Sequence, residues 1–444
     1  MAQEHSWSHL FVPSCASMTT LQTFMFMLML LIRTNQSIAL SPSTDVGSNH
    51  RLAKAVKVAL GFDAGVALYD DGAVDAWGNA DSGGYTGDAE THLKTGVKDI
   101  VVGDSAAAAL KEDGSVWTWG GPFEESSQVV KSGTKKLVMG GCGGAALMQN
   151  GSVHTWTCSG CYSSYGGDSS EVARHLKAKV KKVVMGTFAG IALKEDGSVW
   201  TWGSSNYGGD SSKVGEHVRA GVKDIAVGWY AGAALKEDGS VWTWGHAGSG
   251  GESSKVAKHL QAGVRKVVMG GASGAALRED GSLWTWGDSA RGGDSSNVAK
   301  ELKAGVKDVV LGGYAGVALK EDGSVWTWGD ADSGGDSSKV AQHLQANVKK
   351  VVMGNSAGAA LKEDGSVWTW GDSRSGGDSS KVSKHLKTGV TDVIMGGYAG
   401  AALKEDGSIW TWGDPCSGGD ILKSCEPGAK VAKIVKADVN MFIM

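Results

Sequence analysis

The chain has 444 residues, of which 68 are glycine, 18 tryptophan and five proline, and 41% are apolar. That composition suits many short strands joined by tight turns. The 43 basic and 47 acidic residues leave a net charge of −4 and no charged tail, which argues against nucleic acid and against an anionic membrane surface as partners.

Residues 1–50 read as a leader. Phe24 to Ile32 is a nine-residue apolar run, too short for a membrane span, which needs roughly 20 residues. Its length is that of a signal-peptide apolar region, and Ser37-Ile38-Ala39 offers small residues for cleavage. No Lys or Arg precedes Arg33, however. The leader is therefore read as a signal peptide or a disordered segment. The protein is placed in the cytoplasm, with secretion through residues 18–39 as the alternative.

From residue 51 to 426 one unit repeats nine times. Asp-Gly or Asn-Gly recurs at Asp71, Asp113, Asn150, Asp196, Asp238, Asp280, Asp322, Asp364 and Asp406. The prevailing spacing is 42 residues, a period of propeller blades. In one unit, Val306 to Leu311 is a β-branched run ended by Gly312-Gly313, and two further runs flank Asp322-Gly323. This predicts three strands, the last two joined by a type I′ hairpin with positive φ at both tip residues. A short helical turn follows, capped by Asp336, Ser337 or Ser338 and burying Val340 and Leu344; a fourth outer strand is the alternative. The turn ends on a residue suited to left-handed backbone, namely Gly96, Gly133, Gly221, Gly263, Gly305, Asn347 or Gly389, with Lys179 as the exception.

Paired tryptophans share one face of the third strand: Trp117 and Trp119, Trp200 and Trp202, Trp242 and Trp244, Trp284 and Trp286, Trp326 and Trp328, Trp368 and Trp370, Trp410 and Trp412. Burying two indoles is worth roughly 10 kcal/mol gross. Ordering about 42 residues costs several times that. A single unit must therefore stack on its neighbours, in a closed ring or an open spiral. The expected class is all-β, a propeller of about nine units. Val431 to Met444 reads as the first half of a tenth unit, so 427–444 is assigned as incomplete.

The core VKDVVLGGYAGVALKEDGSVWTWG from Val306 resembles the repeats of the regulator of chromosome condensation family. The shared features are the glycine after the first strand, the Ala-Leu of the second, Asp-Gly, and the Trp-Gly ending the third. The resemblance implies a β-propeller. Family repeats usually carry a His where this chain has Ala315-Gly316, and their Gly-Gln-Leu-Gly is replaced by Gly334 to Ser338, which marks a divergent branch. The units differ too little in length for the wedge of a Ran-type exchanger. A HECT-type ligase needs a catalytic domain that is not in this sequence. Only Gly228-Trp229 resembles the sensing motif of the ultraviolet-B photoreceptor.

Histidines recur once per unit at His92, His175, His217, His259, His343 and His385. One per blade cannot converge on a metal, so they read as surface residues able to make a rim pH-sensitive. Asp330, Asp332 and Asp336 resemble a calcium loop but lack its twelfth-position glutamate. Cys158 with Cys161, and Cys416 with Cys425, are free thiols or two local disulfides; no zinc site is expected. No cofactor and no catalytic constellation is expected. Variation between units is concentrated in two patches. One follows Trp-Gly and includes Phe123, Tyr207, Arg291 and Arg374. The other comprises Phe188, Trp229, Tyr230, Tyr314 and Tyr398. Both are candidate partner-binding residues. The expected function is a non-enzymatic protein-interaction scaffold, with a secreted binder or inhibitor, or a recruiting fragment of a ubiquitin ligase, as alternatives.

Overall fold

A computed structural model describes residues 53–121, 127–141, 143–157 and 165–421. The leader, Phe123, Cys158, Cys161, Cys425 and residues 427–444 lie outside them. Nine antiparallel sheets follow one another, at 55–78, 97–130, 134–157, 180–203, 222–245, 264–287, 306–329, 348–371 and 390–413. We number them blades 1 to 9. In blade 7, Val306–Leu311 pairs with Ala315–Lys320, which pairs with Val325–Gly329.

The hairpin tip differs from the expected type I′ turn. Gly323 has φ of 77°, and its eight counterparts are likewise positive, but the preceding Asp is not. Lys320 N–H donates to Ser324 O, and Gly323 N–H donates to Lys320 O. This is a type I turn followed by a left-handed glycine bulge. Asp322 keeps ordinary backbone because its Oδ1 accepts the Ser324 N–H at 2.9 Å, an Asx turn that shapes the loop locally.

Outside the third strand, most blades carry a short 3-10 turn such as Ser338–His343. Among the described residues only blade 2 has a fourth strand, Ser127–Val130, paired with Val116–Trp119. The left-handed position after each turn is occupied as expected, and Lys179 adopts it too, with φ of 61° like Asn347. A non-glycine residue held there costs about 1–2 kcal/mol. Lys179→Gly is expected to raise stability by about 1 kcal/mol once glycine's greater unfolded-state freedom is offset. Urea denaturation checks this, and a loss of stability would contradict it.

Each core lies between two blades. Val317, Leu319 and Val325 of blade 7 pack with Val351, Met353 and Trp370 of blade 8 and with Leu344 of the connecting turn. The second indole of each pair is the staple: Trp328 Nε1 donates to Gly292 O and Trp370 Nε1 to Gly334 O, both on the preceding blade's exit loop. Facing these two indoles across the sheet are glycines, Gly316 for Trp328 and Gly358 for Trp370, whereas in blade 2 Trp119 faces Ala107. A Cβ on either glycine would approach the ring closer than 3.0 Å. The glycine of Ala315-Gly316 thus makes room for the indole.

The ring closes. Blade 1 residues Ala55, Val58 and Trp77 share a core with Ala401 and Leu403 of blade 9. Trp77 Nε1 donates to Gly418 O at 3.0 Å, the same staple made across 341 residues. Around the axis, Gly61, Gly103, Gly140, Gly186, Gly228, Gly270, Gly312, Gly354 and Gly396 form a girdle. A methyl on any of them would lie within 3.0 Å of the next blade's glycine carbonyl, and Gly396 meets Gly61. The alternative of an open spiral is thereby removed.

Lys57–Asp99, Lys182–Asp224, Lys266–Asp308 and Lys350–Asp392 join neighbouring blades. These exposed pairs contribute little energy. They come from an alternation of Lys and Asp at one position of the first strand, which an odd ring cannot sustain: Lys136 and Lys182 are successive.

Candidate functional site

Three antiparallel strands place the first turn of a blade and the exit of its third strand at the same end. Ser204 N–H donates to Phe188 O, His246 N–H to Tyr230 O, Asp330 N–H to Tyr314 O, and Asp414 N–H to Tyr398 O. The two variable patches of the sequence are therefore one surface, the loop face of the ring.

On that face a chain of rings crosses blades 4 to 7. Tyr165 meets Phe188 at 5.0 Å between centroids, Phe188 meets Tyr207 at 5.2 Å, and Tyr207 meets Tyr230 at 5.2 Å. Tyr230 is edge-on to Trp229 at 6.2 Å, and Trp229 is edge-on to Tyr314 at 6.1 Å. The Arg291 guanidinium caps the arc 5.3 Å from the Tyr314 centroid, a cation–π arrangement. Tyr398 sits apart, against Phe62 at 5.0 Å. Arg374 is exposed, held by its backbone N–H to Asp372 Oδ1, and is not in the arc. Phe62 and Tyr165 were not singled out in the sequence; Phe62 occupies the same repeat position as Trp229, a correspondence that would have found it.

Trp229 leans inward. A Cβ on Gly271 or Gly313 would meet its indole at 3.0 and 2.9 Å, so the ring lies over blades 6 and 7 at the mouth of the axial cavity. That cavity, about 320 Å³, is lined by the glycine girdle and by the last residue of each first strand, such as Val227, Met269 and Leu311. Across the mouth, Thr187 Oγ1 donates to Asp104 Oδ2 at 3.2 Å. Burial raises the Asp104 pKa, partly opposed by that bond. Burial also raises Asp63, against a bond from Ser417 and with Asp414 adding to the rise. Tyr398 is raised by burial and by the nearby Asp63 carboxylate. Asp288, Asp372 and Asp414 each accept amides of their own loops.

The six repeated histidines are not isolated surface groups. Each lies flat on the first tryptophan of the following blade: His92 on Trp117, His175 on Trp200, His217 on Trp242, His259 on Trp284, His343 on Trp368 and His385 on Trp410, with centroids 3.1–3.6 Å apart. The two tryptophans of a pair thus differ in role, the second a buried staple and the first a stacking platform. Burial, then neighbouring Lys and Arg, lowers the pKa of His175, His259 and His385 below 6.5. The unfolded chain therefore takes up protons first as pH falls. Their contribution to stability is full above pH 6.5 and declines below it. The thermal midpoint is expected to drop between pH 7.5 and about pH 5.5, and a His175→Asn, His259→Asn, His385→Asn variant to show a smaller drop. An equal drop in the variant would contradict the stacking account.

Cys416 is disulfide-bonded, and the chain's other five cysteines lie outside the described residues. Among the described residues no three His, Cys, Asp or Glu side chains come together to hold a metal. Asp330 and Asp336 accept the Ser333 and Ser338 amides, as loop caps. No helix among those residues is long and apolar enough to cross a membrane.

A family model of the regulator of chromosome condensation (RCC1) repeat matches residues 97–124, 180–208, 222–250, 306–334 and 348–376. Five of the nine blades thus match the RCC1 repeat. They are a divergent kind: a search of curated proteins returned no match. The four blades outside the matched segments differ from them at several positions, with Tyr69 and Asp75 in blade 1, His154 in blade 3, Leu283 in blade 6 and Ile409 in blade 9. Solved structures with a similar arrangement include yeast RCC1 (Prp20) bound to Kap60, at 15% identity over 84% of this chain and 98% of that one with a TM-score of 0.42. The CRINKLY WD40 ectodomain of the Arabidopsis thaliana receptor kinase ACR4 is 19% identical over 64% of this chain and 98% of that one, with a TM-score of 0.40. Prp20p from Saccharomyces cerevisiae is 16% identical over 72% and 83%, with a TM-score of 0.38.

Proposed function

We propose that this RCC1-repeat ring is a non-enzymatic scaffold that docks a protein partner on its loop face. The observation that carries the reading is the ring-to-ring contact of Phe188, Tyr207, Tyr230, Trp229 and Tyr314, ended by Arg291. Aromatic and arginine side chains are the commonest anchors of protein interfaces, because they bring large area at low entropic cost. Loops on a rigid frame are where recognition resides. Nearby carboxylates are engaged by loop hydroxyls and amides, which favours a binding role for the face over acid–base chemistry.

The test is a Tyr207→Ala, Tyr230→Ala variant beside a Glu237→Ala, Glu321→Ala control at the opposite, Asp-Gly face. The first is expected to lose about tenfold or more in partner recovery, as hot-spot truncation does, without a matching loss in the control. Recovery is measured by quantitative mass spectrometry with thermal midpoints run in parallel. Equal recovery by both variants would overturn the proposal.

A further inference from the structure

Seven blades carry the outer tryptophan, and six of these platforms are covered by the histidine 25 residues earlier. Blade 7 is the exception. Glu301 stands where the histidine stands elsewhere, and Trp326 is 36% exposed while its counterparts are partly buried. The backbone beneath the missing ring is nonetheless in place. Lys320 Nζ donates to Glu301 O at 2.9 Å, as Lys362 does to His343 O at 2.9 Å and Lys404 to His385 O at 3.1 Å.

We infer that the exposed face of Trp326 is a stacking site for the imidazole of a histidine carried by a partner polypeptide. The six internal pairs show that this platform and backbone accept an imidazole lying flat, at 3–4 Å and within 13° of parallel. Lys300, Lys303 and Lys320 flank the position and disfavour a guanidinium or ammonium occupant. The Glu301 carboxylate supplies an acceptor that the other blades lack there, suited to a ring N–H. The site lies on the 3-10 turn between blades 6 and 7, apart from the aromatic arc, and does not rest on the docking role proposed for the loop face.

The probe is imidazole itself, titrated at about pH 8, where the free ring is neutral. The readout is the indole N–H resonances of the protein, with the Trp326 signal assigned from a Trp326→Phe variant. A saturable shift confined to Trp326 is expected. Glu301→His, which supplies the missing ring from within, is expected to abolish that shift. His343→Ala is expected to open a second site and add a saturable shift at Trp368, which keeps the test informative should Glu301→His fold poorly. Shifts of equal size on all the outer tryptophans, or a Trp326 shift that survives Glu301→His, would overturn the inference. So would a Trp326-dependent dimer in sedimentation, because the occupant would then be a second copy of this chain.

Discussion

Gly228→Ala is expected to destabilise the protein by about 3 kcal/mol or more. The added Cβ would run into the Gly270 carbonyl oxygen, with Gly270 C at 3.1 Å and Met269 Cβ at 3.3 Å behind it. The nearest of these atoms is backbone, so no side-chain rotation relieves the contact and blades 5 and 6 must separate. In a closed ring that displacement cannot stay local, because nine inter-blade rotations must still complete one turn. Gly215→Ala is the matched control. Gly215 has φ of −52°, and a Cβ there would find only Arg219 Nε at 4.0 Å. It is expected to be neutral or to stabilise by about 0.5–1 kcal/mol. Chemical denaturation of the two variants checks the contrast. Similar midpoints for both would mean that the girdle does not set the ring.

Trp77→Ala is expected to cost about 3–5 kcal/mol, as for other buried tryptophans, and to change the mode of failure. Trp77 is 4% exposed, it packs with Ala401 and Leu403, and its N–H reaches Gly418 O. Trp328→Ala removes the same staple between blades 6 and 7, but there residues 288–305 still tether the two blades. At the seam between blades 9 and 1 the contact spans 341 residues, so a weakened seam opens without breaking a connection. The two freed blade faces are complementary, which makes exchange between molecules a low-cost outcome. Size-exclusion chromatography across a concentration series should show oligomers for Trp77→Ala and not for Trp328→Ala. Identical behaviour of the two would contradict a closure made by Trp77.

The repeat, its three strands and its helical turn were legible because each rests on local chemistry. Asp322-Gly323 marks a turn within four residues, and Val306 to Leu311 marks a strand without reference to anything distant. The turn type was misread for a physical reason: Asp322 satisfies its loop by accepting the Ser324 N–H, so only the glycine needs left-handed backbone. Closure was not legible, since it depends on the rotation between blades, which no single unit encodes. The His–Trp stacks were missed although a clue was present. His343 and Trp368 keep a constant separation across six units, but a distance of 25 residues has no meaning for contact until the linker is seen to fold back on the next blade.

The aromatic arc of the loop face was half legible. Repeat-to-repeat variation picked out Phe188, Tyr207, Trp229, Tyr230, Tyr314 and Arg291, which the structure brings into one arc. It also picked out Arg374 and Tyr398, which stand apart from that arc. That the two variable patches are one surface follows from strand parity alone: with three antiparallel strands, the first turn and the final exit share an end. The inward lean of Trp229 over Gly271 and Gly313 was not available from pattern, because it requires two glycines in other blades to leave space.

The most direct test of the docking account is site-specific photo-crosslinking. A photoreactive phenylalanine analogue is placed at Tyr230 on the loop face and, separately, at Glu321 on the Asp-Gly face, and crosslinked partners are identified by mass spectrometry. A specific crosslinked species is expected from position 230 and not from position 321. A species captured at position 321 and not at 230 would contradict it.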